Sequence, residues 1–156
     1  MAMKLNDSFT NDHKIIELIN ALKSIDFHKL RTKSEGLRSL EIDESIPDQI
    51  KISRHIDFDI PASAKSLVSN PIKLEELWIF IQENKIVVEI LIPNVQTSIK
   101  AEFIFSVQNS KTIAAIQTSV ESKIFLVSSF AEEFISKYWK KALAEDFILL
   151  NTWIKS

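Results

Sequence analysis

The hydrophobic period changes twice along this chain, and few architectures accommodate both changes. Ile15, Leu18, Ile19 and Leu22 recur at i, i+3, i+4 and i+7, the stripe of an amphipathic helix. From residue 37 to about 127 the period becomes two, as in half-buried strands. The helical period then returns: Ser129 and Glu132 form a capping-box pattern, and the helix runs on through Trp153, about 25 residues or roughly 37 Å. A helix of that length can span a curved sheet diagonally.

The finer reading places a strand at 4–10, a helix capped by Asn11 or Asp12, and a second short helix, capped by Asp26, ending near Gly36. Strands follow at 37–46, 50–60, 74–82, 85–92, 100–108 and 111–126. Pro47-Asp48, Glu83-Asn84 and Asn109-Ser110 sit at tight connections, and the link PASAKSLVSNP separates the second and third of these strands. The expectation is α+β: a seven-stranded antiparallel sheet wrapped around a long C-terminal helix, with two short helices after the first strand. At 156 residues and 46% hydrophobic composition the chain fits one domain, 1–156.

Composition excludes several functions. A formal charge of −2 with scattered Lys and Arg gives no footprint for nucleic acid. There is no cysteine, hence no disulfide, thiolate metal site or thiol nucleophile, which is compatible with a reducing compartment. Gly36 is the only glycine, so glycine-rich phosphate loops and dinucleotide fingerprints cannot be assembled, and no cofactor is expected. His13, His28 and His55 follow no metal-ligand spacing, and no serine sits in a nucleophile elbow. The N-terminus MAMKLNDSFTND lacks a signal peptide's apolar run, and no stretch approaches the roughly 18 apolar residues of a membrane span. A cytoplasmic protein without integral membrane association is the expectation.

Three stretches resemble the START-like (SRPBCC, helix-grip) superfamily, nearest a START-like family of unknown function described mainly from actinobacteria. They are IPASAKSLVSN, the Glu76-Leu77-Trp78 triplet and the tail SSFAEEFISKYWKKALAEDFILLNTWI. The resemblance covers nearly the whole chain, without the glycines that family carries in its later strands. It implies a cavity between sheet and helix for a hydrophobic or lipid-like ligand, and no particular reaction.

Turn lengths decide which side chains share a face. If Glu83-Asn84 is a two-residue turn, Leu77, Ile79 and Ile81 lie opposite Ile90, Val88 and Ile86. With Asn109-Ser110 as the next turn, Val107, Phe105 and Phe103 oppose Thr112, Ala114 and Ile116; both sets are assigned to the concave face. A three-residue loop at Pro47-Asp48-Gln49 sets Glu44 opposite Ile52 and Ile42 opposite Arg54, making Glu44 a diagonal neighbour of Arg54. On the last helix Ala131, Ile135, Tyr138, Ala142, Leu149 and Trp153 form one face, widened by Trp139 and Leu143, and Asp146 projects near its middle. Three ionisable groups, Glu44, Arg54 and Asp146, thus point inward. They form either a structural ion-pair group or a polar anchor for a ligand in an apolar pocket. Trp78, Phe80, Val87 and Leu91 fall on the opposite face as a possible homodimer contact, or else line the pocket if the parity of these strands is reversed.

The ligand-binding candidates are therefore Glu44, Arg54, Ile56, Phe58, Leu77, Ile79, Val88, Phe103, Phe105, Ile116, Tyr138, Ala142 and Asp146. No metal ligand and no catalytic residue is assigned. A binding module for a hydrophobic small molecule or lipid needs only a cavity and one or two polar anchors. An enzyme of cyclase, dehydratase or hydrolase type needs a positioned acid or base, for which Glu44, Asp146 and Tyr138 are the only candidates. An interaction module would instead fill the interior with its own side chains. Binding is favoured over catalysis, and cavity volume separates the third possibility from the others.

Overall fold

A computed structural model describes residues 2–62, 65–66, 68–124 and 127–155. The order is β1 (Met3–Asn11), α1 (Ile15–Leu22), α2 (Ile25–Arg31), β2 (Leu37–Asp43), β3 (Gln49–Ile56), β4 (Ile72–Gln82), β5 (Lys85–Ile92), β6 (Thr97–Gln108), β7 (Lys111–Ser122) and α3 (Ser128–Lys155). All seven strands form one sheet in the order β1-β7-β6-β5-β4-β3-β2, and every pairing is antiparallel. The sheet packs its inner face on α3, as the double change of period predicts. Ser63, Ala64 and Leu67 of the link, and Phe125 and Leu126 at the expected end of the seventh strand, lie outside the described residues.

Local chemistry shifts several boundaries. Ser24, not Asp26, caps α2, its hydroxyl accepting from the Phe27 N–H at 3.4 Å. Helix α1 starts after Lys14, whose N–H donates to Glu17 Oε1, while Asn11 Oδ1 accepts from the His13 N–H. Glu132 does not reach back along α3: its Oε2 accepts the Ser122 N–H at 2.9 Å and ties the end of β7 to the helix.

Register is where expectation and structure part. In β6 and β7 Val107, Phe105 and Phe103 pair with Thr112, Ala114 and Ile116 as read from the turn. Glu83-Asn84 is also a two-residue turn, but β4 gains one residue between Phe80 and Gln82, a bulge at Ile81. Consequently Trp78 opposes Val88 and Phe80 opposes Ile86, while Leu77 and Ile79 face outward. Trp78 (3% exposed) and Phe80 (8%) are core residues, which removes them as a dimer contact; Val87 and Leu91 stay on the outer face. The turn before β3 is longer than three residues, so Leu40, not Ile42, pairs with Arg54, and Glu44 lies exposed beyond the end of β2.

The face of α3 is rotated by part of a turn from the one read in the sequence. Ala131, Ile135, Trp139, Leu143, Phe147 and Leu150 are its buried stripe; Tyr138, Ala142, Asp146 and Leu149 lie along one flank. Phe9 stacks on Phe147 at 4.4 Å, and Trp78 and Phe103 meet edge to face at 5.7 Å. These rings fill the space between sheet and helix. Among the described residues no helix is long and apolar enough to cross a membrane.

Candidate functional site

Three elements bring charge to one end of this interior. Alternation along β3 puts Arg54 on the inner face between Ile52 and Ile56, and the bulge in β4 puts Glu76 there beside Trp78. The last residue of α2, Arg31, enters from the side. Its Nη2 donates to Glu76 Oε1 at 2.5 Å, and its Cζ lies 5.0 Å above the Trp78 ring. Glu76 Oε1 also accepts from Trp78 Nε1 at 3.0 Å, and Oε2 lies 2.9 Å from Arg54 Nη2. Arg54 Nη2 donates to the Tyr138 hydroxyl at 3.0 Å, and Phe58 packs edge-on against the Tyr138 ring at 5.0 Å. Asp146 comes within 3.7 Å of Arg31 from α3.

The electrostatics follow from this sharing. Burial disfavours the charge of Glu76, but Arg31 and Arg54 outweigh it and hold the carboxyl at about 2. Burial likewise opposes the charge of Arg31, and the Glu76 and Asp146 carboxylates more than compensate, leaving its pKa raised. Asp146 has only the longer contact to Arg31, so burial wins and, with Glu76 nearby, pushes its carboxyl up to about 6. Burial also raises the Tyr138 phenol. His28 accepts from Arg31 Nε at Nδ1 (2.8 Å), so its Nε2 carries the proton and donates to the Leu22 carbonyl at 2.6 Å. Burial and the neighbouring Arg31 lower it to about 3, and it stays neutral.

Little space remains inside. Between sheet and helix, bounded by Trp78, Phe103, Trp139, Phe147 and the charged group, the cavity is about 20 Å³. That is room for about one water. The same charged group is reached from outside through an open cleft of about 350 Å³ between the α2–β2 connection, the end of β3 and α3. Ile56, Phe58 and Ala142 give the cleft apolar surface; Arg31, Arg54, Tyr138 and Asp146 form its polar floor, and Lys33, Asp57, Lys141 and Glu145 its rim. Arg38 Nε and Nη2 both meet Asp57 Oδ2, at 2.7 and 2.5 Å, and fix Asp57 there.

Of the candidates, Arg54, Ile56, Phe58, Tyr138, Ala142 and Asp146 therefore share the cleft. Val88, Phe103, Phe105 and Ile116 are packed in the core, each 1% exposed or less. Leu77 and Ile79 lie on the other side of the sheet, and Glu44 is remote from Arg54. Sequence reasoning missed Arg31, Glu76 and His28. The alternation of Ile72 and Leu74 against Lys73 and Glu75 carries on to an inward Glu76 and was the available signal. Among the described residues no group of His, Asp and Glu side chains could hold a metal ion.

No protein-family model matches the sequence, and neither does any curated protein. Solved structures do match in fold. The aromatase/cyclase Zhui of Streptomyces sp. R1128 has a TM-score of 0.73 at 9% identity, covering 99% of this chain and 94% of that one. Norcoclaurine synthase from Thalictrum, solved as a point mutant with a transition-state analogue, has a TM-score of 0.68 at 10% identity over 100% and 98%. The di-domain aromatase/cyclase StfQ of the steffimycin pathway has a TM-score of 0.74 at 10% identity over 99% of this chain. The chain spans about half of StfQ, 51% of its length. The fold is the helix-grip fold.

Proposed function

We propose that this protein binds a hydrophobic or amphipathic small molecule in the open cleft beside α3, with Arg54 and Tyr138 orienting its polar end. One observation carries the reading. A cleft of about 350 Å³, the lower end of the usual range for ligand sites, has at its floor an arginine that is 8% exposed and whose Nε has no hydrogen-bond partner. Beneath α3 there is about 20 Å³ beside the charged group and about 40 Å³ near Ile72, Phe134 and Ile135, so the ligand lies on the flank of α3 rather than beneath it. Ile56, Phe58 and Ala142 take the apolar part. Kinship with a START-like family of unknown function is supported by the link, the Glu76-Leu77-Trp78 triplet and the C-terminal tail.

Native mass spectrometry of the purified protein, with extraction of any passenger, tests the reading alongside displacement of an apolar fluorescent probe. Ala142→Trp fills the cleft from α3 and should weaken probe binding at least about tenfold, a loss of ~1.4 kcal/mol, while unfolding stays cooperative. Unchanged binding in that variant would place the ligand elsewhere. A second reading is supported by Asp146 alone. A carboxyl pushed up to about 6 at a cleft floor is suited to proton transfer, so an acid–base enzyme is the alternative. Turnover of a bound carbonyl compound, lost in Asp146→Asn with binding kept, would select it.

A further inference from the structure

The two arginines under the cleft are unequally served. Glu76 engages both, Arg31 at 2.5 Å and Arg54 at 2.9 Å. Asp146 reaches only Arg31, at 3.7 Å, and its side chain is 23% exposed at the cleft. Arg54 retains a buried Nε without a partner. With Asp146 ionised, the two guanidinium and two carboxylate charges cancel; with Asp146 protonated, one positive charge remains beside Arg54. That charge is complementary to one carboxylate, whereas a dianionic phosphate would leave a negative charge over in a part-buried site.

We propose that the cleft takes the carboxylate of a small amphipathic acid against Arg54, and that binding takes up one proton from solvent onto Asp146. This rests on the cleft being the ligand site. The ligand replaces Asp146 as the second negative charge of the cluster, so the cluster remains balanced before and after binding. No bond in the ligand changes. The groups facing Asp146 are consistent with this exchange: Arg31 from α2, Arg54 from β3, Glu76 from β4, and Tyr138 and Glu145 from α3 itself. Glu76 is held ionised by two arginines and His28 is held neutral by its bond from Arg31, which leaves Asp146 to titrate near neutral pH. Lys33 at the rim favours an approaching anion, while Lys141 pairs with Glu145 at 4.0 Å and Asp57 with Arg38.

Isothermal titration calorimetry with phenylacetate and octanoate, against their uncharged amides, tests the proposal in buffers of differing ionisation enthalpy. The acids should bind at least about tenfold more tightly than the amides near pH 6.5, with net proton uptake. Their Kd should rise from pH 7 to 8 by up to about tenfold, the limit for one linked proton. Asp146→Asn should keep the preference for acids and lose both the proton uptake and the pH dependence. Equal affinity for acid and amide, or anion binding with no proton exchange, overturns the proposal and leaves the cleft standing as a binding site. If neither acid nor amide binds, the proposal falls together with the reading on which it rests. Should Asp146→Asn fold poorly, the proton count of the unaltered protein decides.

Discussion

Glu76 is the residue on which the buried cluster turns, because it is the shared counter-charge of Arg31 and Arg54. Glu76→Gln leaves two cations in the interior with only the distant Asp146 between them. Loss of one partner from a buried pair costs about 3–5 kcal/mol, and urea unfolding should show a decrease of that order. A loss below about 1 kcal/mol would mean that the cluster is hydrated. Arg54→Met should cost less, since Glu76 keeps Arg31, while affinity for an anionic ligand falls far more than for a neutral one. The pH dependence has opposing parts. His28 accepts a proton below 6.5 when unfolded and only near 3 when folded, so its contribution to stability is lost as pH falls through that window. Glu76 acts in the same sense, its contribution lost as pH falls from 4.5 through about 2. Asp146 has the other sign: its contribution is present below 3.8 and lost as pH rises through about 6. Asp146→Asn removes that loss alone. Its stability relative to the unaltered protein should therefore climb from pH 4 to pH 6 and level off, and a flat difference in urea midpoints would contradict the assignment.

At the scale of elements, the bulge in β4 decides which side chains face α3. Removing Ile81 should restore continuous pairing between Phe80, Gln82 and their partners Ile86 and Lys85, with the buried face unchanged. The deletion should shift stability by no more than about 1 kcal/mol, as read by thermal unfolding, because Ile81 is 50% exposed. Were the strand bulge-free, the same deletion would invert Trp78 and Phe80 and unfold the protein. The bulge also explains what the sequence concealed. From Leu77 to Ile81 every residue is apolar, so the run LWIFI carries no parity, and an ideal two-residue turn selects the wrong one. Arg54 was legible because it interrupts a clean alternation, and the β6–β7 register because its turn is unbulged. Arg31 and His28 stayed hidden because their roles depend on how the end of α2 meets β4, a long-range packing fact. The position of Asp146 was half legible: its spacing puts it on the helix face, and only the sheet shows that the buried stripe runs through Leu143 and Phe147 instead. At Gly36 an added Cβ would lie 2.5 Å from the Asp57 carbonyl oxygen, whose N–H already donates to the Gly36 carbonyl at 2.8 Å. Gly36→Ala should thus cost about 1–3 kcal/mol and widen the rim of the cleft, measurable by unfolding and by probe affinity.

For the whole molecule, the sheet and α3 close on a core of aromatic rings, and the opening that reaches the buried charges lies along one flank of the helix. The resemblance read in the sequence implies a cavity under the helix; here Trp78, Phe103, Trp139 and Phe147 take that space and the charged group opens sideways. The seven strands thus act as a rigid support that holds Arg54 and Glu76 in register, and α2 and α3 bring Arg31, Tyr138 and Asp146 to them. The proposed ligand site is this cleft, over Arg54. Backbone amide NMR during titration with octanoate tests it most directly. Shift changes should concentrate in residues 31–36, 54–58 and 138–146, and should be lost in Ala142→Trp. Changes confined to the outer face of the sheet around Leu77 and Leu91, or distributed through the aromatic core, would contradict it.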